Sequence, residues 1–382
     1  MRTVYLDYAA TSWPKPDAVK QAVIAALDGS GNPGRSGHRL SLDAARTVYQ
    51  ARHEVSQLLC ARDSARVVFT LNATDALNMA INGLLKPGDH AITTCFDHNS
   101  VLRPLSHLAK QGTIELTVLQ SEDGLTVQPD QFRDALRPNT SLIAASHASN
   151  VTGALLDVGA VGEICRGSGC RLLLDASQTL GALPIDVASL PVDCLVAPGH
   201  KGLLGPQGTG VLYVRPGLDL SCWRIGGTGS ASDKLYQPEF MPDRLEAGTP
   251  NTPGLAGLAA AVNWLRRQGV DSIRQHELAL TERLRSGISG IPGAHLYGPG
   301  GEQGVGVISL NLANWDPSDL AVALEDDFGI MTRPGLHCAP LAHQAIGSFP
   351  VGTVRLSLGY STTDEEIDWA IAALSELSKQ RR

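Results

Sequence analysis

The sequence predicts an α/β protein: a large domain on a mostly parallel, mixed sheet, followed by a smaller α+β domain. Three observations predict it. Short β-rich runs alternate with helical patterns through the middle of the chain, "RVVF" before "ATDALNMAINGLL" and "HAITTC" before "NSVLRPLSHLAKQG". These runs are apolar throughout, as expected of parallel strands covered on both faces. Beyond the long helical segment "PGLAGLAAAVNWLRRQG" the spacing changes, and isolated strands are flanked by longer helices.

Residues 1–14, around "YLDYAATS", are too few for a domain and are expected to pack on the smaller one. Residues 15–265 are assigned to the large domain. Its strand series continues with "IELTVL", "SLIAAS", "RLLLD" and "DCLVAP", with helical stretches such as "VGAVGEICRGSG" between several of them. "GTGVLYV" follows "DCLVAP" too closely for a helical crossover, so it is expected to be an antiparallel neighbour. Residues 266–382 form the smaller domain: a helix from about Ser272 to Ser289, the strand "VGVISLNL", a helix after Asp316, the strand "TVRLSL" and a last helix from Asp364. The boundary falls inside a helix.

Composition narrows the function classes. Hydrophobic residues at 43% with 18% charged describe a globular chain with a sizeable core. A formal net charge of -7, with basic residues unclustered except in the tail "SKQRR", gives no reason to expect nucleic-acid or membrane binding. No run approaches the roughly 20 apolar residues of a membrane helix. The start lacks the apolar centre of a signal peptide, and a cytoplasmic setting is expected. The seven cysteines are odd in number, scattered and without a CxxC pair, which argues against a zinc site or a disulfide framework. Contexts such as "QLLC" and "DCLV" suggest buried, inert thiols. Cys338, in "MTRPGLHCAPLAH", has different neighbours: Arg333 and His337.

Lys201 stands in "PGHKGLLGPQGTG", where glycines permit tight turns and close approach of a ligand. The Gly-Lys-Ser/Thr order of a phosphate loop is missing. Asp175 ends the apolar run "RLLLD", on the rim where open α/β sheets bind ligands. Alone, it would more often be read as a cap of the next helix. A lysine together with an Asp able to hold a pyridinium nitrogen is the arrangement that pyridoxal phosphate requires. A phosphate site is available in "FTLNATDALNMA", a strand, a polar turn with Asn72 and Thr74, then a helix; Thr74 can also be read as its N-cap. His98, in "FDHNSV", has a similar place and by itself reads as a cap-region histidine.

With these residues in place, the sequence resembles a cysteine desulfurase of the class V aminotransferase group, among the fold type I pyridoxal-phosphate enzymes. The resemblance runs from "YLDYAATS" through "GHKGLLGPQGTGVLYV" and "LEAGTPNT" to "TRPGLHCAPLAH" and "RLSLGYSTTDEEID". The short arginine-to-cysteine loop resembles the group II, selenocysteine-lyase-like branch. The resemblance implies that Lys201 holds the cofactor covalently and moves the Cα proton. Asp175 would bond the pyridine nitrogen, Gln178 and Asn150 would face the phenolic oxygen, and His98 would stack on the ring and relay protons. Ala73 by its backbone N–H, Thr74 and His200 would bind phosphate, with Thr249 reaching across from the other subunit of a homodimer. Arg355 would clamp the substrate carboxylate, and Cys338 would accept the sulfur. A thiolate is the reactive form, and nearby cations favour it.

Three residues depart from the group's usual pattern. Pro198 and Ala73 stand where hydroxyl residues are common, removing phosphate hydrogen bonds, and Leu336 replaces a histidine two places before the cysteine. The implied reaction is L-cysteine to L-alanine with a persulfide on Cys338, for delivery to a sulfur-acceptor protein. A selenocysteine lyase would use the same residues, an aminotransferase or cysteine lyase would not need the thiol, and a catalytically weak docking partner is a different class. The destination of the sulfur, iron-sulfur assembly among others, stays open.

Overall fold

A computed structural model describes residues 3–34 and 36–380. Arg2 and the last two residues of the basic tail lie outside the described residues. The chain begins with the two-residue strand β1 (Val4–Tyr5) and the helices α1 (Asp17–Gly29) and α2 (Arg39–Leu58). The large sheet is built from β2 (Val67–Thr70), β3 (His90–Thr94), β4 (Glu115–Leu119), β5 (Thr140–Ser146), β6 (Arg171–Asp175), β7 (Cys194–Pro198) and β8 (Gly210–Val214). Helices α3 (Ala73–Leu84), α4 (Asn99–Lys110), α5 (Pro129–Asp134) and α6 (Val158–Ser168) alternate with them. The strand order is β2-β8-β7-β6-β5-β3-β4. Only β8 runs against the rest, pairing antiparallel with both β7 and β2. The expected antiparallel neighbour is therefore present, and the sheet is mixed but mostly parallel.

The apolar strands have the predicted cause. Leu172 and Leu174 join the core on one face of the sheet, with α7 residues Leu258 and Val262 (α7, Thr252–Gln268). Leu173 joins the core on the other face, with Leu77 and Ile81 of α3. Each strand residue is thus covered whichever way it points, so no polar alternation is required. The edge strand β4 is the exception: Glu115 is exposed and only Leu119 is buried.

The remaining elements are α8 (Val270–Ser289), β9 (Ala294–Tyr297), β10 (Val307–Leu312), α9 (Pro317–Phe328), β11 (Ile330–Met331), β12 (Arg333–Gly335), α10 (Pro340–Ala345), β13 (Thr353–Ser357) and α11 (Asp364–Ser378). A four-stranded antiparallel sheet runs β12-β13-β10-β9. It packs with α8, α9 and α11 around Leu284, Leu324 and Leu374, and Val4 and Leu6 join that core. Local chemistry sets the helix ends. Asp316 caps α9 through Ser318 N–H, Pro317 opens it and Gly329 ends it at φ 68. Thr363 and Glu366 form a capping box at α11. At Gly269, φ 83, the chain breaks between α7 and α8.

Candidate active site

Strands β2, β3, β5, β6 and β7 are parallel, so the loops leaving their C-terminal ends converge on one rim. The strand ends, these loops and the helix starts that follow carry Ala73 and Thr74, His98, Asn150, Asp175 and Lys201. They close around a cavity of about 280 Å³ that Gln178, His200, Arg333 and Cys338 also line.

Two turns cross backbone to backbone beside Lys201. A Cβ on Gly202 would lie 2.5 Å from the Leu180 carbonyl oxygen, and one on Gly181 would lie 2.2 Å from that of Gly202. Only glycine at both positions permits the crossing. Lys201 is half-buried there, and its amine is pushed down to about 8, first by desolvation, while Asp175 pulls the other way. Asp175 Oδ1 accepts from the Ser177 N–H at 3.0 Å and from the Ser177 hydroxyl. Among the described residues Oδ2 has no hydrogen-bond partner.

At the far side of the cavity two helix N-termini meet. The Asn72 side chain accepts from the Asp75 N–H at 2.9 Å and caps α3. Thr74 is therefore not the cap; it sits inside the first turn, with its hydroxyl 2.8 Å from Ser100 Oγ. Ser100 N–H donates to His98 Nδ1 at 3.1 Å, so His98 caps α4 and also lines the cavity. Since Nδ1 accepts, the ring proton sits on Nε2. Burial and then the Lys201 charge push His98 down to about 4, which keeps the ring neutral. Among the described residues His200 Nδ1 is buried without a hydrogen-bond partner. Pro198 lines the same wall and has no donor to offer.

The small sheet supplies the opposite wall. Arg333 on β12 and Arg355 on β13 are direct cross-strand partners. Like charges placed opposite each other cost stability, so such a pair is expected where an anion must be held. The two differ in state. Arg333 lines the cavity and has no ion pair among the described residues, whereas Arg355 is only 1% exposed and lies behind the wall. Arg355 Nη2 donates to Asp7 Oδ1 at 2.9 Å and Nη1 to the Asn150 carbonyl at 3.0 Å, leaving Nε buried and without a partner among the described residues. Cys338 is exposed at the cavity edge.

The profile of the aminotransferase class-V family matches residues 4–369. A probable cysteine desulfurase of Methanothermobacter thermautotrophicus is 35% identical, over 98% of this chain and 94% of its own. The cysteine desulfurase IscS of Shewanella denitrificans is 32% identical over 98% of this chain and 92% of its own. Among solved structures, the cysteine desulfurase of Thermococcus onnurineus superposes with a TM-score of 0.92 at 32% identity, covering 99% of this chain and 95% of that one. The chain belongs to the cysteine desulfurases of the class-V family. It has the α/β architecture of the fold type I pyridoxal-phosphate enzymes.

The residues present fit the family cofactor. A half-buried amine near neutrality suits covalent capture of an aldehyde. An unpaired carboxylate oxygen suits a pyridinium N–H, and two helix N-termini with hydroxyls and the orphaned His200 nitrogen suit a phosphate dianion.

The cavity gathers nine of the expected residues: Ala73, Thr74, His98, Asn150, Asp175, Gln178, His200, Lys201 and Cys338. Two others stand apart. Arg355 is behind the wall, and Thr249 is exposed and lines a second cavity of about 340 Å³ with Arg52, Arg224 and Glu246. Asp7, Ser100 and Ser177 escaped the sequence reading; Ser100 had a signal, a hydroxyl in a helix first turn beside His98. One cysteine is corrected. Cys60, expected buried from "QLLC", is exposed, because it follows the last turn of α2 at φ 54 and leaves the core there. Cys194 is buried as expected.

Proposed function

We propose that this cysteine desulfurase takes L-cysteine at the described cavity and carries the sulfur away on Cys338. One observation supports this above the others: the exposed Cys338 thiol shares a cavity with the half-buried Lys201 amine and the free Arg333 guanidinium.

Pyridoxal phosphate, when bound, supplies an electron sink for the pair left behind as the Cα proton departs. Asp175 Oδ2 would hold the pyridinium proton, with Ser177 keeping that carboxylate oriented. Ala73 N–H, Thr74 and His200 would bind the phosphate, Asn150 and Gln178 would serve the phenolic oxygen, and His98, neutral and protonated on Nε2, would lie against the ring. Arg355 with Arg333 binds the substrate carboxylate, displacing part of the Asp7 contact. Lys201 takes the proton from Cα. The Cys338 thiolate then attacks the substrate Sγ: the S–S bond forms, the Cβ–Sγ bond breaks, and its electron pair stays with the substrate carbons. Protons complete alanine. Cysteine and the Cys338 thiol thus become alanine and a Cys338 persulfide, with no outside oxidant.

An exposed persulfide suits an acceptor protein that comes to the cavity mouth. Thr249, exposed on the same chain, reaches the phosphate site of a second copy in a homodimer. No helix among the described residues is long and apolar enough to cross a membrane.

The test incubates the protein with L-cysteine and a reductant and quantifies alanine and sulfide beside Cys338→Ser. Equal amounts from the parent and none from the variant are expected. Pyruvate or amino-group exchange that survives in Cys338→Ser would overturn the reading.

A further inference from the structure

His337 and Cys338 are consecutive non-glycine residues in the left-handed region, at φ 49 and φ 58. Residues with a Cβ stay there only where their surroundings over-determine the backbone. Part of the constraint comes from the large-sheet side. Asn150 Nδ2 donates to the His337 carbonyl at 2.7 Å, and the Asn99 N–H donates to that of Cys338 at 2.8 Å.

The other part is a buried chain of three side chains whose protons are fixed by one carbonyl. His337 Nε2 lies 2.9 Å from the Arg333 carbonyl oxygen, which only accepts, so Nε2 carries the proton. In the neutral ring Nδ1 is then an acceptor, and it lies 3.3 Å from His343 Nε2, which donates. His343 Nδ1 accepts in turn, from Ser348 Oγ at 2.7 Å. The rings stack at 5.4 Å between centroids, and burial holds both of them neutral, His337 at about 3 and His343 at about 4. A single buried histidine with its hydrogen bonds satisfied would be ordinary. Here every donor has a defined direction, and the chain ends on the loop that bears the nucleophile.

We propose that Ser348, His343 and His337 form a one-way hydrogen-bond relay that positions the Cys338 loop for sulfur transfer. They are positioning residues: their bonds end on the Arg333 carbonyl, and they act on the thiol through the backbone of the loop. The inference rests on Cys338 being the sulfur acceptor.

The experiment uses the holoenzyme with L-cysteine and compares His343→Leu, His343→Gln, Ser348→Ala and Ser348→Thr. Two rates are read: alanine formation, and exchange of the substrate Cα proton with deuterated solvent. The exchange depends on Lys201 and cofactor but not on the thiol. Alanine kcat is expected to fall about ten- to hundredfold in His343→Leu, the scale of a misplaced reacting group. KM and Cα exchange should stay near the parent values. His343→Gln, whose amide can donate where Nε2 does, should recover much of the loss, and Ser348→Thr should exceed Ser348→Ala. Unchanged alanine kcat in both His343→Leu and Ser348→Ala overturns the relay, as does a parallel loss of exchange and alanine in Ser348→Ala. If His343→Leu does not fold, the serine pair decides. A parent that makes no alanine, or makes it equally as Cys338→Ser, defeats the desulfurase reading instead.

Discussion

Asp7 and Arg355 are 348 residues apart in sequence, and their side chains meet at 2.9 Å. The guanidinium is 1% exposed and the carboxylate 21%. On the proposed role of Arg355, the substrate carboxylate and Asp7 would compete for one cation. In Asp7→Asn the charge of Arg355 is left buried without a counter-ion, which destabilises a protein by roughly 3–5 kcal/mol in fully buried pairs and less where one partner is part-exposed. The expected outcome is a lower Tm for the free enzyme with a lower KM for cysteine. An unchanged KM would show that Arg355 does not receive the substrate.

Lys201 should set the pH dependence of cofactor capture. Its amine is lowered to about 8 by burial, and only the neutral amine adds to an aldehyde. Apoprotein mixed with pyridoxal phosphate should form the borohydride-trappable adduct faster as pH rises toward 8. Below that, the rate should fall by about tenfold per pH unit. Lys201→Arg should form none. A rate that keeps rising about tenfold per unit well above pH 8 would place the amine outside the environment that lowers it.

Acid should destabilise the protein before its carboxylates titrate. Burial lowers His98, His147, His200 and His343 to about 4 and His337 to about 3, against an ordinary 6.5. Between those values the unfolded chain binds protons that the folded chain refuses, so stability falls as pH falls through the window. Glu277 opposes this. Burial raises it to about 8, so its contribution is lost as pH rises from its ordinary value toward 8. Five groups against one should give a Tm of the apoprotein that drops between about pH 7 and about pH 5. His147→Gln, outside the cavity lining, should reduce the slope.

A buried ion pair ties α2 to the edge of the large sheet. Arg52 Nη1 and Nη2 each donate to Glu246 at 2.8 Å, and the Phe69 N–H donates to Glu246 Oε1 at 2.6 Å. The guanidinium also covers the Phe69 ring at 4.8 Å. Glu246→Ala leaves the Phe69 N–H without its partner and Arg52 without a counter-ion, though Arg52 keeps the Val67 carbonyl and the Phe69 ring, and a loss of about 3 kcal/mol is expected in urea unfolding. A midpoint equal to the parent would mean that Arg52 reaches solvent.

The sequence by itself determined the sheet strands and helices between several of them, and it marked candidate residues at their ends. Those features are local: an apolar run ending in Asp175, a lysine between glycines at 201, and a helix after the polar turn of Asn72 and Thr74. The short elements β1, β9, β11 and β12 had no period to read and exist because neighbouring strands offer them a partner. Tertiary structure alone set Arg333 opposite Arg355, brought Asp7 to the buried guanidinium, joined Thr74 to His98 through Ser100, and aligned His337, His343 and Ser348. The physical reason is that side-chain hydrogen bonds and ion pairs reach only about 3 Å. Whether two residues come within that distance depends on how the sheets and helices pack, and the spacing of residues along the chain does not contain it.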